Sequence, residues 1–267
     1  MTATIEFLGL EPTDDPMHWR FPLQRRVMTA RGALYGGAGL AAVIAALEAT
    51  TGRPLVWATA QYLTFVRELT TLDVELAEPV AGRRTTQARG VVRDGDDEVL
   101  SVLATLGRRD SDVRWTAAER PDVPLPTETR AQVVAEAVGT FHGIYDLRIV
   151  KGVSRRQLAK GRPPVDTGGR AAYWVRLPGG PHVPDAAELA LVGDLVPSGF
   201  ASATGLPLSG ASLDNTIRLG HLVETEWVLA DVQVHAVLDG YGHGIAHLWA
   251  EDGTLLGTAS QSAFVRT

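Results

Sequence analysis

Apolar and polar positions alternate between two kinds of run along this chain. Between Arg31 and Glu48 no residue carries a charge, and residues 34–49 read LYGGAGLAAVIAALEA. A segment apolar on every side predicts a helix buried all round. The glycines at its start suit a tight entry and close approach of another backbone. The runs that follow, LVWATAQYLTFV, TTLDVELAEPV, TTQARGVVRD and EVLSVLATLG, read as strands, with the Asp94-Gly95 pair as a hairpin turn.

The same order then recurs. A second apolar helix is predicted to begin near Ala186, and strand-like runs follow: SLDNTIRLG, TEWVLADVQVHAVLD, GHGIAHLWAED and TLLGTASQSAFV, with Asp252-Gly253 as the turn. One buried helix followed by a long antiparallel meander, written twice, predicts an α+β fold. The Pro-rich stretch RPDVPLPTETR (120–130) separates the copies and reads as an extended, semi-rigid linker. The expected division is therefore 1–119, a 120–130 linker and 131–267. GTFHGIYDLRIVKG (139–152) is the expected first strand of the second unit, and AAYWVRL (171–177) its second.

The second apolar run contains one acidic residue. From Leu189 to Leu213 the only ionisable side chain is Asp194. A carboxylate so placed is expected to be buried. Burial raises its pKa and turns it into a usable base. A helix cap or a hydrogen-bonded structural Asp is the alternative.

Composition narrows the function classes. The chain has 267 residues, 45% of them hydrophobic, enough for a sizeable core. A net charge of −6 argues against nucleic acid as the main partner. The absence of cysteine excludes disulfides, thiolate metal sites and Cys nucleophiles. No basic-then-apolar leader and no membrane-length apolar run is read, so the expectation is a cytoplasmic protein without membrane insertion. His243 and His247 lie in a hairpin pattern without an accompanying carboxylate cluster, so no metal site or cofactor is expected. No Gly-x-Ser-x-Gly nucleophile elbow is present.

The C-terminal run TEWVLADVQVHAVLDGYGHGIAHLWAEDGTLLGTASQSAFVR, with LVGDLVPSGF and ASLDNTIRL upstream, resembles the second half of bacterial acyl-CoA thioesterase II enzymes. The N-terminal LYGGAGLAAVIAALEA resembles the first central helix of the same group. The resemblance implies a double hotdog, in which each half wraps an antiparallel sheet around a central helix and the two sheets join. It also implies hydrolysis of acyl-CoA thioesters by a water held between an acid, a hydroxyl and an amide. On this sequence those are Asp194 in LVGDLVP, Ser212 in SLDN and Gln261 in ASQSAF. Where the family carries Thr-aliphatic-Asp-His, this chain has Ser-Leu-Asp-Asn, so Ser212 replaces Thr and Asn215 replaces His.

The residues bear on this unequally. Gln261 shares its strand face with Ala259 and Ala263, so it must find partners, either catalytic or structural. Ser212 falls in phase with Asp214, Thr216 and Arg218; either the strand starts after it or the polar face lines a cleft. In the first half, Thr59 stands where the second has Ser212, Ala41 where it has Asp194, and Ala104 or Thr105 where it has Gln261. One catalytic site per chain is therefore expected, in the second half. Backbone N–H groups at the Tyr35-Gly36-Gly37 helix entry are candidate oxyanion donors, or the glycines only permit tight packing. Lys151, Arg155, Arg156, Lys160 and Arg162 form a basic loop that either is simply solvated or meets the CoA phosphates, with Arg218 as another phosphate contact. A non-catalytic acyl-CoA binder and an enoyl-CoA hydratase are the competing functions, and a covalent Asp194 acyl anhydride the competing mechanism. A homodimer is expected, since long sheets with exposed edges tend to be covered.

Overall fold

A computed structural model describes residues 2–67, 69–131 and 138–266. The first half contains α1 (Ala3–Leu8), β1 (Glu11–Pro12), β2 (His18–Pro22), α2 (Gly36–Thr51), β3 (Leu55–Tyr62), β4 (Thr71–Ala81), β5 (Thr85–Asp94) and β6 (Asp97–Gly107). The second contains α3 (Phe141–Ile144), β7 (Leu147–Lys151), α4 (Arg155–Ala159), β8 (Arg170–Arg176), α5 (Ala186–Gly193), α6 (Phe200–Thr204), β9 (Ser209–Leu219), β10 (Trp227–Leu238), β11 (Tyr241–Trp249) and β12 (Leu255–Arg266).

The twelve strands make one sheet in the order β1-β2-β4-β5-β6-β3-β9-β12-β11-β10-β8-β7. That order reads alike from both ends, each strand of the first half standing opposite its counterpart in the second. The halves join through the antiparallel pair β3 and β9, with Ala58 opposite Ile217 and Ala60 opposite Asn215. Helix α2 lies across β3–β6 and α5 across β9–β12, both on one face. The charge-free pattern accounts for α2: Leu40, Ala41, Ala42, Val43, Ile44, Ala46 and Leu47 have no exposed surface. This is the α+β double hotdog that the resemblance implies.

The second apolar run does not form one long helix. After eight residues α5 stops at Asp194 (φ −83°, ψ 39°), and a 3-10 turn, Val196–Gly199, leads into α6. Pro197 explains the break, because it cannot continue an α-helical hydrogen-bond ladder. The expected strand at 139–152 is also shortened: Phe141–Ile144 is a helical turn and only Leu147–Lys151 pairs with β8. The Asp239-Gly240 turn between β10 and β11 has both residues at positive φ, 51° and 81°, which suits a two-residue hairpin.

The Pro-rich joint is docked on the outer face of the sheet. Strand β8 is buried on both faces, its Ala171, Tyr173 and Val175 toward the helices and its Ala172 and Trp174 outward. Trp174, Trp227 and Trp249 form an outer cluster against which Ala118 and Val123 pack. The Trp174 indole N–H donates to the Pro124 carbonyl at 3.0 Å, and the Arg120 guanidinium lies 5.5 Å from the Trp174 ring centre. Arg148 sits 4.5 Å from the Trp227 ring centre and donates to the carbonyls of Pro126 and Thr129. Among the described residues, no helix is long and apolar enough to cross a membrane.

Trp174 therefore holds both the outer cluster and the joint. Trp174→Ala should cost about 3–5 kcal/mol in a urea titration and make the 118–126 segment more sensitive to protease. A loss under about 1 kcal/mol, with proteolysis unchanged, would contradict this packing role.

Candidate active site

The break after α5 places Asp194 where the second half meets the start of α2. Only 7% of the residue is exposed. Its Oδ2 accepts the backbone N–H of Gly37 at 2.6 Å. Its Oδ1 accepts the Ser212 hydroxyl at 3.3 Å and the Gln261 side-chain NH2 in a short contact. The Gln261 NH2 also reaches Ser212 Oγ at 2.7 Å. Acid, hydroxyl and amide, drawn from positions far apart in sequence, thus converge on one point.

Each placement has a local cause. Gln261 is inward on β12, between Ala259 and Ala263, and is 2% exposed. Ser212 would face outward by simple alternation with Asp214 and Thr216. A bulge corrects this: Ser262 pairs with Asp214 but Ala263 pairs with Ser212, so Leu213 is the extra residue. Ser212 therefore shares the inward face of Ala263. Neither alternative left by the sequence pattern holds: the strand already begins at Ser209 and its polar face is the outer one, and the bulge alone turns Ser212 inward.

The first half contributes directly to this junction. The Tyr35 hydroxyl is directed at the carbonyls of Leu191 and Asp194, at 2.9 and 3.1 Å. The Tyr62 hydroxyl donates to the Gly36 carbonyl at 2.9 Å. Gly37 permits the close approach of α2 and α5, since a Cβ there would lie 3.0 Å from both the Ala190 carbonyl oxygen and Asp194 Cβ. A Cβ on Gly36 would lie 2.9 Å from Asp194 Oδ2 and 3.2 Å from the Tyr62 ring. Tyr62 had a legible signal, being in strand phase with Ala58 and Ala60, but no charge or motif drew attention to it.

Electrostatics follow from burial. Desolvation pushes the Asp194 carboxyl up from 3.8 to about 6, against the donors Gln261, Gly37 and Ser212, which favour its charged form. Burial, then the nearby Asp194, pushes the Tyr35 phenol well above its ordinary range, and the same two causes act on Tyr62. Both phenols are neutral donors at physiological pH.

Other candidates are placed differently. The Gly37 N–H is committed to Asp194, so it is not a spare oxyanion donor. Among the described residues, the Gly36 N–H meets no acceptor. Arg218 follows the inward Ile217 and stands opposite Trp57 and Thr258, on the outer face and away from the carboxylate. Arg155 and Arg156 open α4, which is tied to α6: Ser202 Oγ bonds both backbone groups of Val153, and Arg155 donates to the Pro207 carbonyl at 3.0 Å. Thr59 meets Thr216 at 2.6 Å on the outer face, not near either helix. His243 stands opposite Ser262, on the same outer face of the sheet as His247. Among the described residues, no cluster of three His, Asp or Glu could hold a metal ion.

Residues 119–265 match a family model described as the acyl-CoA thioesterase C-terminal domain. Among solved structures, the chain is similar to a candidate thioesterase of Novosphingobium aromaticivorans, 26% identical, with a TM-score of 0.83 over 96% of this chain and 98% of that one. It is similar in fold to a hotdog protein of unknown function from Alicyclobacillus acidocaldarius, 18% identical, with a TM-score of 0.85 over 100% and 99% of the two chains. An acyl-CoA thioesterase II of Mycobacterium marinum, 17% identical, gives a TM-score of 0.76 over 99% and 98%. No curated protein matches the chain.

The raised pKa makes a stability prediction. Because the folded value lies above the unfolded one, the contribution of this group is fully present below 3.8 and is lost as pH rises through about 6. Asp194→Asn escapes that loss and should be more stable than the parent at pH 8, by up to about 3 kcal/mol. The gain should shrink through about 6 and vanish below 3.8. Denaturant titrations at both ends of this range check it; equal stability at pH 8 would contradict a strained carboxylate.

Proposed function

We propose that this chain, which belongs to the acyl-CoA thioesterase family and is a thioester hydrolase, cleaves acyl-CoA to free acid and CoA with a water held by Asp194, Ser212 and Gln261. The observation that carries the reading is the convergence of these three side chains beside the first turn of α2.

In this mechanism Asp194 takes a proton from the water as its oxygen attacks the thioester carbonyl carbon. General-base help of this kind contributes about 10²–10⁴-fold in rate. Ser212 and Gln261 hold the water's remaining hydrogen-bond positions. The tetrahedral oxyanion needs a donor at the position where its charge develops. The Gly36 N–H fills that role, at the positive end of the 16-residue helix α2. When the C–S bond breaks, the protonated Asp194 returns its proton to the CoA thiolate and the carboxylate is restored. Both carboxylate oxygens already accept hydrogen bonds.

The reading divides the work between two units, 1–119 and 131–267, with the 120–130 joint across the outer face. The second unit carries the base and the water ligands. The first supplies the helix end and the substrate wall. Arg155 and Arg156, on the short helix tied to α6, are the proposed contacts for CoA phosphates. The protein acts on acyl-CoA in the cytoplasm, in fatty acid metabolism, as a homodimer.

Thiol release from short, medium and long acyl-CoAs should fall by about 10²–10⁴-fold in Asp194→Asn. Equal turnover by variant and parent would refute the role of Asp194. Binding without turnover by the parent would favour the non-catalytic binder. For the parent, kcat/KM should fall as pH drops through about 6, because the base must be ionised. Gly36→Ala should lose kcat by at least about tenfold, since its methyl would press on Asp194 Oδ2; a fully active Gly36→Ala would remove the helix end from the mechanism.

A further inference from the structure

Two neighbouring buried amides beside Asp194 have polar atoms with no hydrogen-bond partner among the described residues. They are Asn215 Nδ2 and Oδ1, and Gln261 Oε1. Asn215 is 1% exposed. A buried polar group left unpaired is costly, so such groups are rare in folded proteins and have a reason where they occur. Here they adjoin one another. Asn215 and Gln261 stand directly opposite on β9 and β12, so their side chains share one face. It is the inward face, because Gln261 reaches Asp194. On its other side Asn215 opposes Ala60, whose small side chain leaves the lane toward Tyr62 open. The Asn215 amide approaches the Tyr62 phenol without completing a hydrogen bond.

The set works only if Gln261 turns its NH2, and not its carbonyl, toward Asp194 and Ser212. The two ends of an amide are almost equal in size, so sterics do not choose between them. Hydrogen bonding at both ends does: the Asp194 carboxylate favours the NH2 at the near end, and a donor at the far end holds the carbonyl away from it. We propose that Asn215 is a positioning residue, one N–H of its side chain taking Gln261 Oε1 and the other the Tyr62 hydroxyl oxygen as the site closes on the thioester. The Tyr62 oxygen has the capacity, since its own proton goes to the Gly36 carbonyl. Catalytic hydrogen bonds often tighten only in the substrate complex. The chain Tyr62–Asn215–Gln261 then links the start of α2 to the water-holding amide. This rests on the reading of Asp194, Ser212 and Gln261 as the water-holding set.

Removing Asn215 leaves the carbonyl end of Gln261 without a donor, so the amide is held from the Asp194 side alone and its NH2 drifts from the carboxylate. Asp194 then loses a donor that favours its charged form, and its proton comes off at higher pH. The titratable groups around Asp194 are Tyr35 at the start of α2, Tyr62 on β3, His142 edge-on to Tyr35, and Asp214 on the opposite face of β9. The Asn215 variants leave all four in place.

The test compares parent, Asn215→Leu, Asn215→Ala and Asp194→Asn on the best acyl-CoA substrate, with Tm and the pH dependence of kcat/KM for each. Asn215→Leu keeps the approximate shape and removes the unpaired polar atoms, so its Tm should hold or rise. Its kcat should fall by about 10–100-fold with KM little changed, and the acidic limb of kcat/KM should move to higher pH. Asn215→Ala should show the same kinetic change if the leucine fails to fold. Parent-like kcat and acidic limb in either variant, with Asp194→Asn inactive, would overturn the proposal alone. So would a kcat loss that follows Tm while the limb stays put. An active Asp194→Asn would overturn both this proposal and the reading beneath it.

Discussion

The carboxylate of Asp194 meets the Gly37 N–H at 2.6 Å, and the architecture on both sides is arranged around that contact. A buried carboxylate needs donors on both oxygens, and these come from α2, β9 and β12. Supplying them requires α2 and α5 to approach closely, which the glycine and alanine positions at their crossing allow. It also requires β9 and β12 to be adjacent and their register to be shifted at Leu213. Packing and chemistry are therefore one problem here. The same small side chains that let the helices touch bring the acid to its donors.

The two helices act oppositely on that charge. Asp194 is the C-terminal cap of α5, where the last carbonyls carry partial negative charge and disfavour an anion. It is aimed at the N-terminus of α2, where the first N–H groups favour one. Burial wins over the hydrogen bonds, since the net displacement is upward, to about 6. A fully stabilised carboxylate would be a poor base, and an unsupported one would stay protonated at neutral pH. The intermediate outcome leaves it ionised near neutrality yet willing to take a proton. The cost is borne as stability, as is usual where a site needs a strained group.

Much of this was legible before any coordinates. The charge-free run around α2 announced a buried helix, and one Asp in the second such run announced a buried acid. Residues 85–94 read as a strand with bounds that the structure repeats. What was hidden depends on contacts between distant segments. Strand phase alone turned Ser212 outward, because a bulge is a property of two paired strands and leaves no mark in one of them. The joint at 120–130 reads as an extended, semi-rigid linker, and where it docks is not legible, because its docking site is made of tryptophans from β8, β10 and β11. Gly37 read as an oxyanion donor because its carboxylate partner lies 157 positions away. The grouping of Asp194, Ser212 and Gln261 follows from the family resemblance; the fold brings the three within hydrogen-bonding reach.

A near-symmetric sheet with an unsymmetric site follows from where the second helix ends. In the first half α2 runs 16 residues, closed by Gly52. In the second, α5 ends after eight and delivers a carboxylate. Had α5 continued through Asp194, that side chain would have stayed on a helix flank, without the turn that seats it at the end of α2. Had α2 broken in the same way, it could not offer an intact first turn to the acid. One half must keep its helix whole and the other must interrupt it. Two identical halves could not meet both demands within one junction, so the difference between the two helix ends accounts for one such carboxylate junction among the described residues.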